Sequence, residues 1–269
     1  MLVSIIVPSY NQEKTILKDV KRIYSVMEKT RWDFELILVS DGSSDKTLKE
    51  AKKFKGKSFH PYGYKTNKGK GYAVRYGMAR AVGDYIAFID SGMEIDPNGI
   101  SMILEHMQWY NADVIVGSKR HRASSVNLSP VRKIYSWGYY SGVRFLFGLK
   151  VTDTQVGLKV FKRKVLETVL PRLLVKEFAF DIELLAVANH LGFTRIYDAP
   201  VKMVLDFGEG SKIKKDIFIF TNPIVRSMLF DTLAVFYRLY ILHYYDDRSK
   251  QKWKYDKELQ LRINTGETR

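Results

Sequence analysis

The sequence predicts an α/β protein in which a mainly parallel sheet is flanked by helices. Two observations predict this class: apolar strand-forming runs alternate with segments of helical periodicity, and short polar loops follow the strand runs. The 269 residues, 46% hydrophobic and 27% charged, have the composition of a globular protein. Ligands of such sheets bind at the carboxyl ends of the strands, which is where the polar loops fall.

Strands and helices alternate regularly in the N-terminal third of the chain. The predicted strands cover residues 2–8, 34–39 and 85–89, and the predicted helices cover residues 13–29, 46–54 and 72–82. The first helix carries apolar residues at helical spacing, namely Ile16, Val20, Ile23 and Met27. Strands that alternate with helices at this interval favour parallel pairing.

The middle of the chain continues with less regular spacing. We predict strands over 113–118 and 195–204 and an amphipathic helix over 178–191, ended by Gly192. A further helix over 130–148 interleaves aromatic rings with basic residues. That pattern fits a membrane-interface element, and an ordinary amphipathic core helix fits it equally well.

The chain changes character after residue 212. Residues 217–245 are rich in Ile, Leu, Phe and Tyr, but proline and charged residues interrupt them too often for a membrane span. We expect this segment to form amphipathic helices that lie on a bilayer. The expected apolar face consists of Val225, Leu229, Leu233, Phe236 and Tyr240. The chain is therefore divided into a domain of residues 1–212 and a segment of residues 213–269 that ends in a loosely ordered polar tail.

Composition narrows the possible functions. The absence of cysteine excludes disulfides, thiolate nucleophiles and cysteine-based metal sites. The net charge of +15 implies an acidic partner such as a membrane surface or a phosphorylated small molecule. No nucleic-acid partner is expected, because the basic residues are dispersed and no segment resembles a nucleic-acid module. With no run of eighteen apolar residues and a strand pattern at the start, we expect the protein on the cytoplasmic side of any membrane.

Four polar loops recur at predicted strand ends, at residues 8–11, 40–45, 67–71 and 90–94. The carboxylate of Asp41 can accept hydrogen bonds from a base or a ribose. Glycines on both sides of Lys70 let the backbone approach a phosphate while the lysine supplies charge. Each loop alone is a common turn, but their order and placement together predict a nucleotide pocket.

The loop after the third predicted strand offers hard oxygen ligands. Asp90 ends the apolar run, and Ser91, Gly92 and Glu94 follow it. Mg²⁺ and Mn²⁺ prefer carboxylate oxygens, and a bound diphosphate can complete their coordination. The loop therefore suits a divalent metal and a phosphate.

Several motifs resemble those of the family 2 glycosyltransferases of the GT-A fold, which take a sugar from a nucleotide-diphosphate donor. The resemblance rests on Val7 through Asn11, on Ser40 through Thr47, and on Asn67 through Gly77 with Ala81, Gly83 and Asp84. It covers roughly residues 1 to 240. It implies a Rossmann-like sheet and a catalytic domain over residues 1–212.

Later segments are similar to dolichyl-phosphate β-glucosyltransferases and dolichyl-phosphate mannose synthases. These segments are residues 117–121, 153–159, 178–185 and 209–212. This similarity implies an inverting transfer from UDP-glucose, favoured over GDP-mannose, to a polyprenyl or dolichyl phosphate. It also implies peripheral association with the cytoplasmic face of a membrane, and it leaves the oligomeric state open.

The resemblance also implies roles for individual residues. Lys119 and Arg120 would bind the acceptor phosphate, and Asp181 would hydrogen-bond the sugar or the acceptor side, unless it only serves the start of its helix. Asp90 and Glu94 would hold Mg²⁺ or Mn²⁺. The donor would contact the remaining candidates, with the last two closing over its diphosphate: Pro8, Tyr10, Asn11, Ser40, Asp41, Lys70, Ser91, Ser211 and Lys212.

Two departures keep alternatives open. Ser40 and Gly92 stand where family members commonly carry aspartate. Because Gly92 takes the place of the second aspartate of the metal motif, loss of metal dependence competes with a metal held by Asp90 and Glu94. A soluble family 2 transferase acting on a glycan or protein hydroxyl would need a base, and Asp181 or Asp153 would supply it. An inactive scaffold and a membrane-surface binding protein are further alternatives.

Overall fold

The computed structural model describes residues 1–124, 130–177, 179–203, 223–246 and 253–264, and a seven-stranded sheet forms its centre. The strand order is β3-β2-β1-β4-β6-β5-β7, and neighbours are parallel except where β6 pairs with β4 and β5. The strands are β1 Leu2–Ser9, β2 Asp33–Asp41, β3 Phe59–Tyr64, β4 Tyr85–Ile89, β5 Val114–Ser118, β6 Leu158–Lys162 and β7 Ile196–Pro200. The predicted α/β class with a mainly parallel sheet is confirmed.

Helices cover both faces of the sheet. They are α1 Ile16–Met27, α2 Thr47–Ala51, α3 Lys70–Met78, α4 Gly99–Trp109, α5 Pro130–Phe147, α6 Arg163–Val169, α7 Phe180–His190 and α8 Pro223–Tyr240. Alternate strand residues point to opposite sides: Ile6 and Phe88 pack in the layer of α3 and α7, and Ile5 packs in the layer of α1 and α4. Each face of the sheet therefore has its own apolar core.

The strands β3 and β6 and the helices α4 and α6 were not predicted. Pro61 and Gly63 disturb the strand pattern of β3, and the sheet tolerates them because β3 lies at its edge. In β6, the buried Lys159 interrupts an apolar run. Both strands carry residues that count against a strand in the sequence, which is why the sequence pattern misses them.

The antiparallel strand β6 has a consequence for the site. It lies between β4 and β5, with Leu158 opposite Ile89. Because β6 runs in the opposite direction, the residues that precede it lie beside the carboxyl ends of β4 and β5. Residues 152–157 are thus brought next to Asp90 and Lys119.

The C-terminal residues differ from the expected loosely ordered tail. A two-stranded antiparallel hairpin, β8 Lys254–Asp256 with β9 Leu261–Ile263, follows α8. Trp253 and Leu259 are buried, and Leu259 belongs to the same core as α3 and α7. The expectation is wrong for residues 253–264, because the few apolar residues of this segment are placed so that they pack against the protein. The proposed boundary at residue 212 falls outside the described residues and stays a prediction.

The predicted apolar face of α8 is only partly correct. Val235 and Leu239 face the core and are buried, whereas the predicted Leu233 and Tyr240 are exposed and the other three predicted residues are partly buried. An exposed apolar strip runs along the outside and consists of Phe230, Leu233, Tyr237, Tyr240 and Ile241. Among the described residues, no helix has the length and apolar character to cross a membrane.

Candidate functional site

Asp90 lies at the centre of the candidate site, immediately after β4. Its backbone N–H donates to the carbonyl oxygen of Gly157 at 2.9 Å. Both of its carboxylate oxygens lie 2.8 Å from the ammonium nitrogen of Lys70, at the first position of α3. The side chain is 37% exposed, so the carboxylate is partly open to solvent while it holds the ion pair.

Gly157 makes room for that carboxylate. A Cβ atom added at Gly157 would overlap the side chain of Asp90, so no other residue fits this position without moving Asp90. No sequence signal locates this role, because β6, which begins after Gly157 and pairs with β4, is not visible in the sequence pattern.

Lys70 stays charged at this position. Burial alone would lower its pKa, but the neighbouring carboxylates of Asp90, Asp181 and Glu94 outweigh that effect and raise the pKa above its usual value. A partly exposed ammonium is suited to neutralising a phosphate. The predicted contact of Lys70 with the donor stays a prediction.

Asp181 and Lys159 form a buried ion pair near Lys70 and Asp90. The ammonium of Lys159 donates to the Asp181 carboxylate at 2.7 Å and to the carbonyl oxygen of Val156 at 2.6 Å. Burial lowers the pKa of Lys159 although Asp181 opposes the shift. Asp181 is therefore engaged within the protein in the first turn of α7, which fits a helix-start role, and its predicted contact with the sugar or the acceptor side stays a prediction.

Asp41 holds a loop instead of facing the pocket. Its carboxylate is buried and accepts four hydrogen bonds, from the hydroxyl of Tyr64, the side chain of Asn67, and the backbone N–H groups of Lys68 and Gly69, at 2.8–3.1 Å. Four hydrogen bonds use the capacity of a carboxylate. In this structure Asp41 fixes the loop that leads to Lys70, and the predicted contact with a base or ribose stays a prediction.

Of the remaining candidates for contact with the donor, some form hydrogen bonds within the protein and one is exposed. Pro8 accepts a hydrogen bond from the hydroxyl of Ser91 at 2.7 Å, and Asn11 accepts one from the backbone of Ser44 at 2.9 Å. The hydroxyl of the buried Ser40 donates within its own loop. Tyr10 differs from these residues, because its ring is exposed at the end of β1. Ser211 and Lys212 lie outside the described residues.

Two further acidic residues, which were not among the predicted site residues, support the loops around Gly92 and Lys68. The buried carboxylate of Asp19 in α1 accepts a hydrogen bond from the backbone N–H of Gly92 at 3.1 Å. Glu258, in the C-terminal hairpin, forms an ion pair with Lys68 in the loop fixed by Asp41. The sequence contains a signal for the role of Asp19, because it is an acidic residue on the apolar face of α1. No sequence signal indicates the pairing of Lys68 with Glu258, which lie 190 positions apart.

The residues around Asp90 could bind a metal ion only if a bound ligand supplied further oxygen atoms to its coordination. Within the described part of the chain, no three histidine or carboxylate side chains cluster suitably to bind a metal. Glu94 is exposed, and the space beside Gly92 is open, because an added Cβ would meet only the side chain of Gln12 at 3.4 Å. Asp90 and Glu94 are oxygen donors, so a Mg²⁺ or Mn²⁺ ion would need a diphosphate to complete its coordination.

A second group of residues lies two strands away at the same edge of the sheet. Lys119 and Arg120 directly follow β5, about 10 Å from the end of β4 given the usual spacing of strands. The guanidinium of Arg120 lies 5.2 Å from the ring centroid of Tyr140 in α5. The predicted basic pair therefore stands at the junction between the sheet and α5.

The helices beside this pair expose apolar side chains. Helices α5 and α8 contact each other through Phe147 and Phe236, whose ring centroids are 6.3 Å apart. Trp137 and Phe145 of α5 are exposed, and α8 adds the strip that begins at Phe230. Exposed rings next to a basic pair are suited to an amphiphilic ligand with a negatively charged head.

Comparison with known proteins identifies the family. Residues 4–170 match glycosyl transferase family 2. A dolichyl-phosphate beta-glucosyltransferase of Homo sapiens is 31% identical over 226 residues, 78% of this chain and 69% of that protein. The corresponding protein of Dictyostelium discoideum is 29% identical over 203 residues, 70% of this chain and 62% of that protein.

A dodecaprenyl-phosphate galacturonate synthase of Rhizobium johnstonii is 30% identical over 62% of this chain and 49% of its own length. The chain thus spans about half to two thirds of the length of these curated relatives. Among solved structures, a glucosyl-3-phosphoglycerate synthase from Mycobacterium tuberculosis, in complex with Mn²⁺, UDP and phosphoglyceric acid, matches with a TM-score of 0.64 and 19% identity. That match covers 87% of this chain and 78% of the other and shows a shared fold. The chain belongs to glycosyl transferase family 2.

Proposed function

We propose that this protein transfers glucose from UDP-glucose to a polyprenyl or dolichyl phosphate, with inversion, at the cytoplasmic face of a membrane. One observation carries the proposal, namely that two charged groups lie at the same end of the sheet. The ion pair of Asp90 and Lys70, which would bind the donor, lies at the same end as the basic residues Lys119 and Arg120. Arg120 contacts α5, and α5 and α8 expose apolar side chains. The curated relatives named dolichyl-phosphate beta-glucosyltransferase support both substrates.

The reaction follows from this placement. An oxygen of the lipid phosphate, bound by Lys119 and Arg120, attacks the anomeric carbon, and the bond from that carbon to the UDP oxygen breaks. The attacking phosphate is already largely dianionic near neutral pH, because its second pKa is about 6, so no strong base is required. Attack opposite the leaving group inverts the anomeric configuration.

The protein's contribution is positioning and charge neutralisation. Lys70 faces the departing diphosphate, and Asp41 fixes the loop from which Lys70 extends. Asp90 and Glu94 would hold Mg²⁺ or Mn²⁺, which when bound supplies positive charge to the leaving group. Mn²⁺ and UDP occur together in the solved structure of similar fold, which supports this assignment.

A hydroxyl acceptor is less well supported by the same geometry. Such an acceptor needs a base, and one candidate, Asp181, is buried in an ion pair with Lys159. The other candidate, Asp153, accepts hydrogen bonds from the backbone N–H groups of Gln155 and Lys119. Asp181 is therefore engaged in its ion pair, and Asp153 already uses two of the four acceptor sites of a carboxylate to hold the neighbouring backbone.

Exposed rings on α5 and α8 support peripheral membrane association. An interfacial helix buries its apolar side chains in the headgroup region and keeps basic residues at the surface. Phe145 is exposed beside Arg144, and Tyr237 and Ile241 extend the apolar surface on α8. A polyprenyl chain would then remain in the bilayer while its phosphate reaches Arg120.

A transfer assay tests the function directly. Purified protein is incubated with radiolabelled UDP-glucose or GDP-mannose, Mn²⁺, and either a polyprenyl phosphate or soluble glycan acceptors, and the products are separated by lipid extraction. We expect a lipid-linked product from UDP-glucose, with the β configuration by NMR. Comparable transfer to a soluble acceptor without lipid contradicts the proposal, and preference for GDP-mannose contradicts the assigned donor.

A further inference from the structure

Lys70 occupies the coordination position that a metal would take on Asp90. Its ammonium nitrogen lies 2.8 Å from both carboxylate oxygens. The carboxylate also lies directly against Gly157, where an added Cβ would overlap its Oδ2 atom, so on that side it is in contact with the backbone. A metal and the ammonium therefore compete for the same two oxygens.

The displaced ammonium would need another anion. Asp181, whose charge also acts on Lys70, already pairs with Lys159 at 2.7 Å. Glu94 is exposed and would itself face the incoming metal. The diphosphate of a bound donor is an anion that could accept the Lys70 ammonium without breaking an existing pair.

We infer that Lys70 is an internal competitor that keeps a divalent metal off Asp90 until the diphosphate of the donor draws its ammonium away. The inference rests on the proposed function for the identity of the donor. Coupling of this kind is reciprocal: the donor increases metal affinity by the same factor by which the metal increases donor affinity.

Metal binding to the protein without donor tests the inference. Mn²⁺ is titrated into the metal-free full chain and free Mn²⁺ is measured by electron paramagnetic resonance, with circular dichroism to check folding. We expect Lys70→Met to bind Mn²⁺ at least about tenfold more tightly than the parent, because an opposing charge at contact distance is removed. Lys70→Gln serves the same comparison if the methionine variant does not fold.

Two controls separate direct competition from a general loss of charge. Lys68→Met removes the same charge two residues away, where the lysine pairs with Glu258, and is expected to leave Mn²⁺ affinity nearly unchanged. Asp90→Asn combined with Lys70→Met is expected to abolish the gain. An unchanged affinity in Lys70→Met, or an equal gain in Lys68→Met, overturns the inference.

Repeating the titration with UDP distinguishes this inference from the proposed function. UDP is expected to tighten Mn²⁺ binding more in the parent protein than in Lys70→Met, because the competitor has already been removed from the variant. If UDP binds neither protein while the difference without UDP persists, the proposed donor is wrong and the competition at Asp90 stands. If UDP tightens Mn²⁺ binding equally in both proteins, the coupling through Lys70 is wrong.

Discussion

The proposed donor side and the proposed acceptor side of this site are built differently. On the proposed donor side, the carboxylates are engaged within the protein: Asp41 accepts four hydrogen bonds, and Asp90 and Asp181 each form an ion pair with a lysine. On the acceptor side, Phe145, Trp137 and the outer residues of α8 are exposed. The difference indicates that the donor side is preorganised for one charged ligand, whereas the acceptor side offers an open surface to a large and flexible one.

The largest expected effect concerns the buried ion pair beneath the donor side. Asp181→Asn leaves the ammonium of Lys159 buried without its anionic partner, which we expect to lower the free energy of unfolding by about 3–5 kcal/mol. Urea unfolding measured by circular dichroism provides the value. The pair Lys159→Met with Asp181→Leu is expected to recover most of the loss, because it removes both buried charges.

The same variant predicts a dependence on pH. Burial already lowers the pKa of Lys159, and without Asp181 that pKa falls further. The unfolded chain, with an ordinary lysine pKa of about 10.4, then binds more protons than the folded one, so the stability of Asp181→Asn should rise as pH increases from 7 towards 10. A stability deficit that does not shrink over this range contradicts the assignment of the effect to Lys159.

The next effect concerns Gly157. We expect Gly157→Ala to reduce turnover by roughly a hundredfold, because the new methyl group displaces the Asp90 carboxylate and small misplacements at a reacting centre are costly. Initial rates with UDP-glucose and a polyprenyl phosphate measure it. Gly142→Ala in α5, where an added Cβ meets nothing within 4 Å, is the matched control and should retain stability and turnover. Equal rates for the two variants would show that Asp90 tolerates displacement.

The pairing of Lys159 with Asp181 and the contact of Gly157 with Asp90 show what the sequence could and could not predict. Asp90 was predicted because a buried strand that ends in a carboxylate is visible as a local pattern, and Lys70 because glycines surround it. The pairing of Lys159 with Asp181 and the packing of Gly157 on Asp90 depend on β6 entering the sheet in the opposite direction, which hydrophobic periodicity does not determine. The fold class can be predicted from local patterns that repeat along the chain. Contacts between residues of different strands can be predicted only once the order and direction of the strands in the sheet are known.

A smaller effect is expected at Asp41. Asp41→Asn replaces one acceptor oxygen by an NH2 donor, which faces the N–H group of either Lys68 or Gly69 because these bind different oxygens; this should cost about 1–3 kcal/mol of stability and weaken UDP binding. Chemical unfolding and calorimetric titration with UDP measure both quantities. Asp33→Asn, at the exposed start of the same strand, is the control. If Asp41 instead contacted the nucleotide directly, UDP binding would weaken without a loss of stability.

The smallest expected effect tests the acceptor side. Phe145, 89% exposed on α5, should insert into the headgroup region of a bilayer, and Phe145→Ser should weaken binding to vesicles of anionic lipid by several-fold, given about 1.5–3 kcal/mol for complete burial of such a side chain and only partial burial here. Co-sedimentation with vesicles measures the change. Trp109, 79% exposed at the end of α4, is the matched control: its helix packs on the opposite face of the sheet from α5 and α8. Weaker vesicle binding in Trp109→Ser than in Phe145→Ser would place the membrane-facing surface on that opposite face, and the open acceptor side would then have to receive its lipid from elsewhere.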